Sequence, residues 1–209
     1  MDRSLGESRE AVHAWLQQRI PGADVLGHAV AAVAKLFSAD GIVTTDSGDF
    51  AAWVDRIFCF QRSARLLGSA CGAMGSGVPS ALSAGLRYPD RQVIAFCGDG
   101  GFLMIGNELA TAVARRLNIK IVISNNQSYG TIRSHQERAF PKRLWGTDLS
   151  NPDFAALARA FGAQGYTITN AAQAAEVVAE AISANGPVVI ELRSDVRQTI
   201  DRSLVAAPG

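Results

Sequence analysis

The stretch Val93-Ile94-Ala95-Phe96-Cys97-Gly98-Asp99-Gly100 and its counterpart Ile119-Lys120-Ile121-Val122-Ile123-Ser124-Asn125-Asn126 decide how this chain folds. Each is a short apolar run that ends on polar residues, and a helix-length segment lies between them. Two buried strands joined through a helix run parallel in one sheet. Their polar ends then lie side by side beyond the carboxyl edge of the sheet, where such sheets bind ligands. The Asp99 carboxylate and the Asn126 amide oxygen are hard donors that suit Mg2+, with a backbone carbonyl just beyond Asn126 as a third ligand. Gly98, Gly100 and Gly101 keep Cβ atoms away from an approaching phosphate, and the next helix offers unpaired N–H groups in its first turn. Gly-Asp-Gly alone is an ordinary turn. Its pairing with Asn125-Asn126 across 24 intervening residues (101–124) makes a metal-diphosphate clasp the stronger reading.

Outward from these two strands the pattern repeats. Helices are predicted over residues 7–20, 24–37, 102–117, 151–161 and 171–184, and strands over 42–45, 92–97, 119–124, 164–168 and 188–192. Asp46-Ser47-Gly48-Asp49 reads as a turn. Residues 68–85, rich in Gly, Ala and Ser, contain a helix that begins near Pro79. Residues 130–150 read as irregular, and the tail from Thr199 as frayed. The alternation implies an α/β fold of three layers, α/β/α, around a mostly parallel central sheet. The expected division is a lead-in helix over 1–21, one binding domain over 22–198 and a tail over 199–209.

Bulk composition narrows the function classes. At 209 residues and 48% hydrophobic the chain can bury a full core, and a net charge of +1 gives no basic field for nucleic acid. No apolar run reaches the length of a membrane span, and the N-terminus lacks a signal-peptide pattern. Cys59, Cys71 and Cys97 have no metal-type spacing and read as reduced thiols of a cytoplasmic protein, Cys71 as a small buried residue. His13 and His28 fall on predicted helices and read as structural. No Gly-x-x-x-x-Gly-Lys-Ser/Thr loop and no Gly-x-Gly-x-x-Gly after a first strand supports a generic nucleotide-binding domain.

Gly98-Asp99-Gly100-Gly101-Phe102-Leu103-Met104, Glu108-Leu109-Ala110-Thr111-Ala112, Tyr129-Gly130-Thr131-Ile132-Arg133, Gly72-Ala73-Met74-Gly75, Gly146-Thr147-Asp148-Leu149 and Asn151-Pro152-Asp153-Phe154 together resemble one family. It is the diphosphate-binding, C-terminal domain of thiamine diphosphate enzymes of the acetolactate synthase and 2-oxo acid decarboxylase group, and the resemblance runs over about residues 22–195. It implies that Asp99, Asn126 and the carbonyl of Ser128 hold Mg2+. It implies diphosphate contacts at Gly48, Gly98, Gly100, Gly101, Tyr129 and Gly130. Met74 matches the aliphatic residue that bends the cofactor, where the residue alone would read as core filling. The Gly72 carbonyl matches the acceptor for the aminopyrimidine. His135 stands where acetolactate synthases carry an aromatic residue near the substrate channel; it either donates to a substrate carboxylate or moves a proton, or it is a solvated loop residue.

The resemblance also implies what this chain lacks. The glutamate that activates the cofactor in this family belongs to a separate pyrimidine-binding domain, and no flavin-binding middle domain is present. The expected function is therefore the Mg2+- and thiamine-diphosphate-binding half of a 2-oxo acid decarboxylase or carboligase (a lyase or transferase component), inactive alone. It would be completed by a pyrimidine-binding domain or subunit in a homo- or hetero-oligomer. The Met1 start and N-terminal helix fit a split subunit as well as the lead-in from a middle domain. The alternative is a non-catalytic module that binds the cofactor or a partner. Two residues depart from the family. Asp49 replaces Asn or Gln and would repel a diphosphate. Gln127 replaces Gly in a turn expected to need positive φ.

Overall fold

β-branched strands and small-residue helices alternate along the chain, and the architecture follows from that alternation. The structure, a computed structural model, describes residues 11, 20–22, 24–61 and 63–194. Most of the helix expected over 7–20, including His13, and the tail from Thr199 lie outside the described residues. Among those residues one sheet holds β1 (Ile42–Thr45), β2 (Arg65–Gly68), β3 (Val93–Gly98), β4 (Ile119–Asn125), β5 (Gln164–Ile168) and β6 (Val188–Arg193). Its order is β2-β1-β3-β4-β6-β5, and every pairing is parallel. The helices are α1 (Val25–Leu36), α2 (Ala51–Ile57), α3 (Gly77–Arg87), α4 (Asp99–Ile105), α5 (Leu109–Ala114), α6 (Gly130–Ala139), α7 (Phe154–Phe161) and α8 (Ala174–Ser183).

The period-2 pleat sends alternate residues of each strand to opposite faces. Ile94 and Phe96 of β3 meet Val43, Val122 and Ile190 and the apolar sides of α1, α2 and α8. Val93, Ala95 and Cys97 face the other way, onto α3, α4, α5 and α7, with Phe102 and Phe154 edge to face at 5.4 Å. Both faces of the sheet are thereby covered, the three-layer α/β/α arrangement. From β1 the chain turns outward to β2, then returns past β1 to β3 and β4. The β1/β3 boundary is thus a topological switch point, where the loops after the two strands diverge and leave a crevice.

Four local expectations need correction. The segment 130–150 is not all irregular, because α6 occupies its first half. That helix buries none of its residues, so no apolar period announces it, and its support is the Arg133–Glu137 pair one turn apart. The single helix expected over 102–117 begins three residues earlier, at Asp99, and is broken by a 3-10 turn at Gly106–Glu108. A Cβ on Gly106 would strike the buried Phe102 ring, so the packing demands the weak helix former that breaks it. Strand β2 was not expected; it lies exposed at the sheet edge and lacks a buried face to pattern it. Cys71 is exposed rather than buried, as is Cys59, while Cys97 is buried.

Lys120, near the start of β4, is 2% exposed. Its ammonium donates to Asn118 Oδ1 (2.7 Å), the Ala184 carbonyl (2.6 Å) and the Gly186 carbonyl (3.0 Å), which tethers the end of α8 to the sheet. Burial pulls its pKa from 10.5 down to about 8. The folded chain therefore releases this proton at lower pH than the unfolded chain, and Lys120 contributes stability that rises from about pH 8 to 10.5. Buried Cys97 acts oppositely, because burial pushes its thiol well above 9 and stability then falls as the unfolded thiol ionises. The Lys120→Met variant isolates the first effect. In urea unfolding, wild type is expected to gain up to about 3 kcal/mol relative to Lys120→Met between pH 7.5 and 10.5. Parallel pH profiles would overturn this.

Candidate functional site

An open cleft of about 270 Å³ lies over the β1/β3 switch point. Its walls come from the loop after β1 (Ser47 to Phe50), the segment around Gly72 and Met74, the start of α4 (Gly98 to Gly101), and the turn from β4 into α6 (Asn126 to Ile132). Gly48, Gly72, Met74, Gly98, Asp99, Gly100, Gly101, Asn126, Ser128, Tyr129 and Gly130 all line it, so the structure brings every expected cofactor and metal residue together. His135 is not among the lining residues; it is exposed on α6 and accepts a hydrogen bond at Nδ1 from Arg138 (2.9 Å).

Asp99 opens α4 directly after β3 and is 3% exposed. Burial raises its pKa, and hydrogen bonds from the backbone and from Asn151 oppose the rise. Its two oxygens differ. Oδ2 accepts from Asn126 N (3.2 Å), Gln127 N (2.8 Å) and Asn151 Nδ2 (2.8 Å) and is saturated. Oδ1 accepts from Gly100 N (2.9 Å) and keeps a lone pair. Asn126 Oδ1 accepts from Ser128 N (3.0 Å) and likewise keeps one. These oxygens, with the Ser128 carbonyl, form a donor set that fits a small divalent cation, and a cation there offsets the burial of the carboxylate. The N-termini of α4 and α6 both open onto the cleft, and their free N–H groups fit an anion beside the cation.

The glycines of the site are explained first by protein packing. A Cβ on Gly100 would lie 2.5 Å from the Tyr129 ring, and one on Gly101 would strike the Asp46 carboxylate. Asp46, buried at the end of β1, accepts from Ser47 N (2.8 Å) and from Gly75 N (2.8 Å), and so holds the loop that carries Gly72 and Met74. Gly72 and Gly75 take φ of +66° and +85°, which only glycine adopts freely. Gln127 does take positive φ, +55°, and its N–H, which donates to Asp99 Oδ2 and to Asn125 Oδ1, holds it there. Asp49 lines the cleft, and its backbone N–H is fixed by Thr131 Oγ1 (3.1 Å).

Asn151 enters the sequence reading as part of a helix start and of the family-like Asn151-Pro152-Asp153-Phe154, with no site role given to it. In the structure it reaches from the segment before α7 to both Asp99 and Asn125. Asp24 and Leu26 at the start of α1, Phe50, Thr131 and Ser194 also line the cleft. Phe50 and Thr131 come with the neighbouring Gly48 and Gly130, whereas Asp24, Leu26 and Ser194 carry no local signal and reach the site only through the sheet topology.

One family model and three relatives described below match this chain. The family described as "Thiamine pyrophosphate enzyme, C-terminal TPP binding domain" matches residues 46–192. The acetolactate synthase large subunit of Parasynechococcus marenigrum is 37% identical over 155 residues, 73% of this chain and 25% of its own. The Escherichia coli acetolactate synthase isozyme 2 large subunit is 34% identical over 78% of this chain and 30% of its own, and the isozyme 1 large subunit 32% identical over 85% and 32%. The chain thus spans about a quarter to a third of the length of the curated relatives it matches. No helix among the described residues is long and apolar enough to cross a membrane.

Proposed function

The chain belongs to the thiamine pyrophosphate enzyme family, as a C-terminal TPP binding domain of acetolactate synthase-like type, and on that premise we propose that it is the Mg2+- and thiamine-diphosphate-binding half of a 2-oxo acid decarboxylase or carboligase. In this reading residues 22–198 are the cofactor-holding unit. Asp99, Asn126 and the Ser128 carbonyl hold the cation, and Gly48, Gly98, Gly100, Gly101, Tyr129 and Gly130 face the diphosphate. Met74 presents an apolar surface under the ring system, and Gly72 offers its carbonyl to the pyrimidine. Thiamine diphosphate, when bound, supplies the carbanion-stabilising chemistry that decarboxylation of a 2-oxo acid requires. The chain's own part is to bind the diphosphate end, orient the rings and set the charge around them.

The observation that carries this reading is the asymmetry of Asp99: one oxygen saturated by three N–H donors, the other left with a lone pair beside Asn126. The carboxylates lining the cleft are Asp24, Asp49 and Asp99, and no glutamate lines it among the described residues. That supports completion by a pyrimidine-binding domain carried elsewhere, and it equally favours a second reading, a module that binds cofactor without catalysis. A decarboxylation assay with 2-oxo acids separates the two. The expected result is turnover when the chain is mixed with a pyrimidine-binding partner and none from the chain alone. Cofactor binding with no turnover in either case would overturn the catalytic reading and leave the binding module.

A further inference from the structure

Glu191 is the most deeply buried carboxylate among the described residues, 0% exposed in the middle of β6, and no step described above uses it. A charge in that place needs several partners. Its Oε1 accepts from Asn125 Nδ2 (2.7 Å) and Arg193 Nε (3.1 Å), and its Oε2 from Arg193 Nη2 (3.2 Å) and Thr167 Oγ1 (3.5 Å). The first of these bonds continues toward the cleft. Asn125 Oδ1 accepts from Asn151 Nδ2 (2.8 Å) and Gln127 N (3.2 Å), and the same Asn151 Nδ2 donates to Asp99 Oδ2 (2.8 Å). The second branch returns to the same segment. Arg193 also pairs with Asp153 (3.2 Å), whose Oδ1 caps α7 at Ala156 N (2.7 Å).

We propose that Glu191 is a positioning residue for the cation-binding carboxylate Asp99, acting through the two amides of Asn125 and Asn151. An ionised carboxylate only accepts, so it forces the Asn125 amide to turn its NH2 toward β6 and its oxygen toward Asn151. Asn151 must then turn its own NH2 toward Asn125 and Asp99. This choice leaves Asn151 Oδ1 buried without a partner, so the orientation is imposed by its neighbours and not by the amide's own needs. The outcome is that Asp99 Oδ2 is occupied and Oδ1 is the oxygen presented. A glutamine at 191 lacks this polarity. Its NH2 must face either Arg193 or Asn125, and the second choice reverses both amides and turns Asn151 Oδ1 against Asp99.

The inference rests on the reading of Asp99 as a cation ligand, and the test separates the two. Mn2+ binding to the full chain with saturating thiamine diphosphate is followed by electron paramagnetic resonance of the free ion, with thermal midpoints recorded alongside. Glu191→Gln and Asn151→Ala are each expected to bind Mn2+ about 10- to 100-fold more weakly than wild type. Asp99→Asn is expected to lose binding. Thr167→Val, which removes a Glu191 contact outside the amide chain, is expected to bind as wild type. Should Glu191→Gln fail to fold, Asn125→Ala decides together with Asn151→Ala. It is expected to weaken Mn2+ binding by the same factor, because it cuts the link between Glu191 and Asn151 without removing a direct partner of Asp99 and leaves the Glu191–Arg193 pair intact. Wild-type affinity in Glu191→Gln, Asn125→Ala or Asn151→Ala, or an equal loss in Thr167→Val, overturns the proposal while leaving the cation site standing. Wild-type affinity in Asp99→Asn overturns the cation site itself.

Discussion

Replacing Asp99 with alanine is expected to abolish Mg2+-dependent binding of thiamine diphosphate, with a loss of affinity of more than about 100-fold. The carboxylate is the one charged member of the expected donor set, and it sits at the meeting of two strand ends. Its removal takes away the cation's anionic ligand. It also strips three donors, Asn126 N, Gln127 N and Asn151 Nδ2, of a shared acceptor. Gln127 N and Asn151 Nδ2 keep Asn125 Oδ1 as an acceptor, while Asn126 N loses its bond at a cost of about 1–3 kcal/mol, and Gln127 at φ +55° is held by one bond instead of two. Calorimetric titration of wild type and Asp99→Ala, each with and without Mg2+, measures the effect. Unchanged affinity in the variant would remove the site's foundation.

Gly165→Ala is expected to destabilise the chain by about 3 kcal/mol, far more than one added methyl would suggest. A Cβ at this position of β5 would overlap the backbone of Ala155, its carbonyl oxygen, carbonyl carbon and Cα. A backbone atom inside a helix cannot rotate away as a side chain can, so α7 must lift from β5. Because α7 begins just after Asn151, the same movement draws Asn151 from Asp99, and cation affinity falls together with stability. Urea unfolding checks the first effect and Mn2+ titration the second. Gly22→Ala, where a Cβ meets nothing within 4 Å, serves as the control. A wild-type midpoint for Gly165→Ala would show that the helix yields without cost.

Strands β1, β3, β4 and β6 and helix α1 were legible in the sequence because burial on both sides, or on one stripe, writes itself as apolar period. That Asp99 and Asn126 meet at one cleft was legible because each follows such a strand directly. Edge strand β2 and surface helix α6 were not, since neither buries a side that would leave a pattern. The roles of Asn151 and Glu191 were hidden for another reason. Asn151 precedes a proline and looks like any helix lead-in, and Glu191 is a single acid in Val188-Val189-Ile190-Glu191-Leu192. What makes them matter is that β4 lies between β3 and β6 in space, an order the local sequence does not encode. The glycines of Gly98-Asp99-Gly100-Gly101 line the cleft, and room for a ligand is an incomplete reason for them. At Gly100 and Gly101 a side chain would collide with the Tyr129 ring and the Asp46 carboxylate, whatever a ligand needs.

The all-parallel order of the sheet has a kinetic consequence. Every strand pairing closes a long loop, and no hairpin offers an early, cheap contact. Chains dominated by such non-local contacts pass slowly over their folding barrier. The cleft draws its walls from positions as far apart as Asp24 and Ser194, so it exists only once nearly all those loops have closed. A partly unfolded chain therefore lacks the complete cleft, and a ligand held by all of its walls would report that these loops have closed.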